Sequence, residues 1–390
     1  MALSEVVLVD AVRTPFGRAG GVYANTRSDD LGVAVVKAIL ERNPAAATRV
    51  EDVGIAATSQ TGDQGVTLGR SIGLLAGLPN TVPGYAVDRM CSGAMTAVTQ
   101  IASAIASGMI DVGIAGGIEH MGRHPIGANM DVNPRFVTEK LVAPDALNMG
   151  VTAENLHDRF PELTKQRADE YAVSSQRKTA AAYAEGRFVR QLIPVAARDT
   201  EGAWNLVTRD EPPRPDTTVE ALAALRTPFR PNGRVTAGNA AGLNDGATAA
   251  LVMRESTARE LGLRPRARMV SFAFAGVEPE IMGYGPVPAT VKALAKAGLE
   301  ISDVDVFEIN EAFAVQVLAF LDHFGVSADD PRVNPFGGAI AVGHPLASSG
   351  IRLMANMCEY FELHPDSRYG VTTMCIGLGM GATVVWENVR

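Results

Sequence analysis

The sequence has very little cysteine. Only Cys91, Cys358 and Cys375 occur in 390 residues, an odd number without metal-type spacing, which excludes a disulfide framework and speaks against a zinc site. Lone thiols of this kind are either small buried hydrophobes or reactive groups. Long apolar runs are missing as well. Near the N-terminus only residues 6–9 form an uninterrupted run, too short for a signal-peptide core or a membrane span. A cytoplasmic protein without a membrane span is the expectation. There is no surplus of positive charge: charged residues make up 20 % of the chain, are spread along it, and leave a formal net charge of −8. No nucleic-acid partner is expected, although a local basic pocket for one phosphorylated molecule stays compatible with that balance.

What is present is apolar. At 47 % hydrophobic residues the chain can bury a large core, and its length fits two or three domain-sized units. Short apolar runs bounded by Gly, Asp or Pro at 6–9, 52–57, 111–115, 249–253, 270–275, 305–309 and 371–374 predict buried strands. Between them, apolar residues recur at helical spacing: Leu31, Val35 and Ile39; Ala97, Ile101 and Ile105; Phe313, Val317 and Phe320. Alternation of the two periods predicts an α/β protein whose sheets are covered by helices.

A faint internal repeat divides the core. Ser92-Gly93 opens one predicted helix, followed by the strand and glycines of residues 111–117; Ser349-Gly350 opens another, followed by residues 369–377. Two similar halves would bring helix starts and strand ends to matching positions. Residues 119–244 have a different texture, with Pro212, Pro213, Pro215, Pro228 and Pro231 and one long helical run over 164–185. They read as an insertion over the core, of the sort that supplies a binding wall.

Four residues stand out chemically. Cys91 lies where a strand-like run gives way to a small-residue helix, so unsatisfied N–H groups and the helix dipole would favour its thiolate. A buried structural cysteine fits that segment equally well. Cys375 opens Cys375-Ile-Gly-Leu-Gly-Met-Gly381, whose glycines let a substrate approach and leave N–H groups free for an oxyanion; glycines for close strand packing are the other reading. As a dinucleotide fingerprint this run fails, because a strand pattern follows it at 382–386 where a helix is needed. His344, held on a glycine-rich loop by Pro345, is a candidate partner for a thiol. His120, His124, His157, His323 and His364 lie among polar residues and read as solvated. Asn310 ends the strand at 305–309 and precedes a helix, a position that N-capping alone would explain, although α/β proteins also place active sites at such strand ends. Cys358 fits a helix packing position.

Cys91 after a strand, Asn310-Glu-Ala-Phe313, Gly343-His-Pro345 and Cys375-Ile-Gly377, in this order, resemble the thiolase family. Further similar stretches are Val12-Arg-Thr-Pro-Phe-Gly17, Gly116-Gly-Ile-Glu-His-Met121, Met149-Gly-Val-Thr-Ala-Glu-Asn155 and residues 236–246, so the likeness covers nearly the whole chain. The resemblance implies the thiolase fold: two duplicated α/β halves in a five-layered core, residues 1–118 with 245–268 and residues 269–390, and a loop domain inserted at 119–244. It implies CoA-dependent cleavage of 3-oxoacyl-CoA through an acyl-enzyme, and the reverse condensation. Carried onto this chain, Cys91 is the nucleophile, His344 takes its proton, and Cys375 is the general acid and base. Asn310, through a water, and His344 would form one oxyanion site; the backbone N–H groups of Cys91 and Gly377 would form the other. Arg214 matches a position near the coenzyme A nucleotide. Met149 and Met282 match residues of the pantetheine and acyl pocket, and Asn148, Ala241, Ala312 and Phe313 are further candidates for substrate contact.

The resemblance further implies coenzyme A as co-substrate, no tightly bound cofactor and no metal. It implies a homodimer or homotetramer and is compatible with a β-oxidation partner subunit. Several residues depart from the family pattern. Asp88 stands where Asn is common, Ala347 replaces a glycine, Ala241 a serine and Asn148 a histidine of acetoacetyl-specific members. These changes favour a degradative enzyme for longer acyl chains over the short-chain biosynthetic alternative. A decarboxylating ketoacyl synthase would carry a second histidine where Asn310 stands, and a lipid-binding relative without turnover should have lost Cys91, His344 or Cys375.

Overall fold

The computed structural model describes residues 3–128 and 130–389. In chain order the strands are β1 (Val6–Arg13), β2 (Gly17–Arg18), β3 (Asp52–Ala56), β4 (Tyr85–Val87), β5 (Val112–His120), β6 (Val195–Arg198), β7 (Trp204–Val207), β8 (Asn244–Arg254), β9 (Ala267–Gly276), β10 (Val306–Ile309), β11 (Tyr369–Ile376) and β12 (Met380–Glu387). Every apolar run noted in the sequence lies within or overlaps one of them. Most extend beyond the run, because the ladder continues through polar residues that have a buried partner.

Two half-sheets of like design are joined edge to edge in the order β10-β11-β12-β9-β1-β8-β5-β3-β4, with β2 added on β8. In one half β4, β3 and β5 run parallel and β8 and β1 antiparallel; in the other β10 and β11 are parallel and β12 and β9 antiparallel. The junction is slight, pairing Val7 with Arg268 and Leu8 with Ala267.

Side-chain alternation along the strands sorts the core into layers. Val6 and Leu8 of β1 face inward onto the helices Gly93–Ser107 and Ser349–Leu363, together with Ala250 and Val252 of one half and Met269, Val384 and Trp386 of the other. Val7 and Val9 face the opposite way, onto Leu31, Val35 and Ile39 of the helix Ser28–Arg42 and Ile72 of the helix Leu68–Leu75. On the far side, Phe307 and Val371 pack against Val287 and Leu294 of the helix Pro286–Ala297 and Val317 and Phe320 of the helix Ala314–Phe324. The order helix, sheet, helix pair, sheet, helix gives five layers. The two central helices start against each other: a Cβ added at Gly350 would sit 2.8 Å from Met95 N, so the small residue of the repeat is required by a close approach.

Between β5 and β8 lie the helices Met149–Arg159 and Lys165–Ala184 and the separate hairpin of β6 and β7. Thr164 caps the longer helix by accepting from Arg167 N. Buried polar contacts tie this region to the rest. Arg13 makes two hydrogen bonds to Asp210, at 2.6 and 2.9 Å, and Tyr171 and Ser175 donate to Glu311 at 2.9 and 2.6 Å.

Two histidines differ from the expectation of solvated side chains. His120 is fully buried, with Nε2 3.0 Å from Tyr23 O and Nδ1 3.2 Å from Asp245 Oδ1. His157 is buried and hydrogen-bonds the Leu163 carbonyl through Nδ1.

Candidate active site

Cys91 sits in a tight turn, Met90–Ser92, between β4 and the helix Gly93–Ser107. Met90 adopts a positive φ of 45°, a conformation that an unbranched L-residue holds only when its surroundings enforce it. Asp88 Oδ1 does part of this by accepting from Met90 N at 2.6 Å; an asparagine there could accept the same bond, which accounts for the exchange. The backbone N–H groups of Gly377 and of Cys91 itself donate to the thiol sulfur, yet burial outweighs them and pushes the thiol up to about 11. The expected thiolate is therefore not the resting form: dipole and N–H groups are present, but the site is too dry for them to prevail.

Cys375 lies near the C-terminal end of β11, paired with Gly381 of β12. It is fully buried, and burial together with the nearness of Cys91 holds its thiol well above the ordinary range. Just beyond it, the hairpin of β11 and β12 closes through a three-residue loop, Gly377 to Gly379, in which Leu378 and Gly379 take positive φ values of 60° and 74°.

His344 follows Gly343, whose φ is 103° and where a Cβ would fall 2.6 Å from Asn244 Cγ. Asn244 uses that proximity, accepting from His344 N at 2.9 Å while donating to Gly17 O at 3.0 Å. The imidazole Nδ1 lies 2.6 Å from Ser349 Oγ. Burial, with the Arg352 cation as a second cause, pushes the imidazole down to about 3, so it is neutral and able to accept a proton. The loop that follows is pinned by Glu119, which accepts from Ala347 N at 3.2 Å, and by Thr248, which donates to Ser348 O at 2.8 Å.

Asn310 is not a helix cap. The next helix begins at Ala314 with Phe313 at its cap position, which leaves the Asn310 side chain free for other contacts. Its Oδ1 accepts from Arg352 at 3.2 Å, and its Nδ2 lies 3.3 Å from His344 Nε2 and 3.4 Å from Nδ1. Near-equal distances to both ring nitrogens put the amide over the imidazole face.

A cavity of about 340 Å³ opens onto Cys91 and His344. Met149, Met282, Ala241, Ala312 and Phe313 line it, as does Asn148, whose Oδ1 also caps the helix Met149–Arg159 by accepting from Gly150 N at 3.0 Å. Cys375, Gly377 and Asn310 are not among the lining residues; they are joined to the cavity through Cys91 and His344. Arg214 lines an adjoining cavity of about 500 Å³ that shares Ala240, Gly242 and Leu243 with the first.

The family models for the thiolase N-terminal and C-terminal domains match residues 6–256 and 263–388. The chain belongs to the thiolase family. It is 44 % identical over 391 residues to a 3-ketoacyl-CoA thiolase of Shigella sonnei and to one of Salmonella typhimurium, covering 99 % of this chain and all of each relative. The crystal structure of the Bacillus anthracis acetyl-CoA acetyltransferase superposes with a TM-score of 0.89 at 35 % identity, with both chains covered completely. The thiolase fold follows from these matches and from the layers described above.

Sequence reasoning missed several residues around this thiolase site. Met121, Ile126 and Phe229 line the first cavity and Arg18 the second; Met121 ends one of the family-like stretches without having been given a role, and nothing in the local pattern marks the other three, whose placement is tertiary. Ser349 was visible only as a marker of the repeat. Glu308 offered a clearer signal, a carboxylate inside the apolar run of β10. Among the described residues no group of His, Cys, Asp and Glu is arranged to hold a metal ion, and no helix is long and apolar enough to cross a membrane.

Proposed function

We propose that this protein is a degradative 3-ketoacyl-CoA thiolase that uses coenzyme A to cleave 3-oxoacyl-CoA into acetyl-CoA and an acyl-CoA two carbons shorter. The observation that carries this reading is the convergence on one apolar cavity of Cys91, a neutral His344 and, behind Cys91, Cys375 and the Gly377 N–H group.

In this reading Cys91 Sγ attacks the C3 carbonyl and its proton passes to His344. The C2–C3 bond breaks, its electron pair goes to the acetyl-CoA enolate, and the Cys375 thiol donates its proton to C2. Coenzyme A then gives its proton to the Cys375 thiolate, attacks the acyl group on Cys91, and His344 returns the first proton to Cys91. The neutral resting pair supports this sequence, because a proton moves only when substrate arrives. Charge develops at two carbonyls in turn, which calls for two sets of donors: the N–H groups of Cys91 and Gly377 form one, His344 with Asn310 acting through a water the other. Arg18 and Arg214 in the second cavity suit the coenzyme A phosphates.

The preference for longer acyl chains is supported by the lining of the first cavity, where Met121, Ile126, Leu147 and Phe229 present apolar surface and, among the described residues, no Lys or Arg takes part. Each buried methylene contributes about 0.8 kcal/mol. Thiolysis measured on a ladder of 3-oxoacyl-CoA lengths tests this. The reading requires kcat/KM to rise at least about tenfold from four carbons to medium chains, or about 1.4 kcal/mol of differential binding; a maximum at acetoacetyl-CoA would favour the biosynthetic alternative.

We further propose the division into residues 1–118 with 245–268, 119–244 and 269–390. The two central helices of the repeat support it, although β5 runs on to His120 and β9 starts at Ala267. A homodimer or homotetramer in the cytoplasm, with room for a β-oxidation partner subunit, completes the reading carried by the family.

A further inference from the structure

Arg352 and Glu308 are ionisable side chains that lie against the site and have no part in the chemistry above. Both are buried, at 1 % and 0 % exposure of their side chains, and they stand 3.9 Å apart. That is a long ion pair. Arg352 Nε and Nη1 and Glu308 Oε1 also find no hydrogen-bond partner among the described residues. A buried pair of this kind is poor evidence of stabilisation, so its place next to Asn310 asks for another reason.

The geometry supplies one. Arg352 projects from the first turn of the helix Ser349–Leu363, and its Nη2 donates to Asn310 Oδ1 at 3.2 Å. Glu308 lies in β10 two residues before Asn310, whose backbone N continues the ladder by donating to Thr373 O at 2.9 Å, and is held by Asn356, one helical turn beyond Arg352, which donates to Glu308 Oε2 at 3.2 Å. A guanidinium carries donors only. The end of the Asn310 amide that faces it must therefore be the oxygen, and the NH2 end is left over the His344 ring. Without the guanidinium, the amide could turn and offer an acceptor where the reaction needs a donor.

We infer that Arg352, steadied by Glu308, is a positioning residue that locks the Asn310 amide with its oxygen on the guanidinium and its NH2 group on the His344 side. This rests on the proposed thiolase chemistry, in which Asn310 serves a developing oxyanion.

A double-mutant cycle tests it: wild type, Arg352→Met, Asn310→Ala and the pair together, with kcat and KM for thiolysis of one 3-oxoacyl-CoA. Arg352→Met should lower kcat about tenfold or more while KM for coenzyme A changes less than about twofold, and the same substitution made on Asn310→Ala should cost less than about twofold. Equal losses in both backgrounds, or kcat and KM worsening together, overturn the inference. Should Arg352→Met not fold, the isosteric Glu308→Gln goes through the same cycle at pH 9, where the Glu308 carboxyl is ionised: a loss of kcat that vanishes on Asn310→Ala supports the inference, and an unchanged kcat or an undiminished loss overturns it. Intact-mass detection of acyl-Cys91 in the wild type separates the two levels. A normal adduct with independent losses overturns this inference alone, whereas absence of any adduct on Cys91 overturns the proposed chemistry and this inference with it.

Discussion

His344 Nδ1 lies 2.6 Å from the Ser349 hydroxyl, and that hydroxyl is 3.3 Å from the Pro345 carbonyl. If the Ser349 proton goes to that carbonyl, the Ser349 oxygen accepts from Nδ1–H. This selects the tautomer with a free lone pair on Nε2, the form a base needs. Ser349→Ala should release the ring and lower kcat about tenfold, in the range typical of a misoriented general base, with KM nearly unchanged. Steady-state thiolysis kinetics check this; an unaltered kcat would show that the hydroxyl does not set the tautomer.

Cys91 rests as a thiol pushed up to about 11 by burial. Alkylation by iodoacetamide requires the thiolate, so its rate at Cys91 should climb about tenfold per pH unit from pH 7 to pH 10. Peptide mass spectrometry follows the site. A rate that levels off below pH 8 would restore the dipole-stabilised thiolate that the sequence alone led one to expect.

Burial holds the Glu308 carboxyl at about 8 against an ordinary 4.5, although Arg352 pulls it the other way. The folded protein then keeps a proton that the unfolded chain has released, so this group's stabilising contribution is complete below about 4.5 and is lost as pH rises through about 8. Glu308→Gln has nothing to titrate. Its stability relative to wild type should improve between pH 5 and pH 8 by as much as about 1.4 kcal/mol per pH unit, in total on the order of a few kcal/mol. Urea unfolding at pH 5.5, 7 and 8.5 measures the difference, and parallel profiles would contradict it.

Much of the fold was legible because its signals are local. The apolar runs located strands of both half-sheets, and the Ser-Gly pairs at 92–93 and 349–350 marked the two central helices, since close helix contact demands small residues there. The candidate thiols and His344 could be singled out because a thiol at a helix start, an imidazole on a glycine-rich loop and a glycine turn are each chemically distinctive, and the structure brings them together at one cavity. Other features depend on what packs around a residue. His120 and His157 looked solvated because their buried acceptors, the carbonyls of Tyr23 and Leu163, leave no trace in side-chain chemistry. Asn310 looked like a cap because a helix does follow, three residues later than its pattern implied. The resting state of Cys91 was misjudged for the same reason: a dipole can be inferred from a helix start, whereas exclusion of water is a property of the assembled site.

The central claim is that Cys91 holds the acyl group while Cys375 handles the proton at carbon. Mass spectrometry after incubation with an acyl-CoA tests it most directly, on the wild type, Cys91→Ser and Cys375→Ser. The account predicts one acyl group, on Cys91, in both the wild type and Cys375→Ser, none in Cys91→Ser, and loss of 3-oxoacyl-CoA cleavage in both variants. An acyl group on Cys375 or Cys358 in the wild type, or undiminished cleavage by Cys375→Ser, would contradict it.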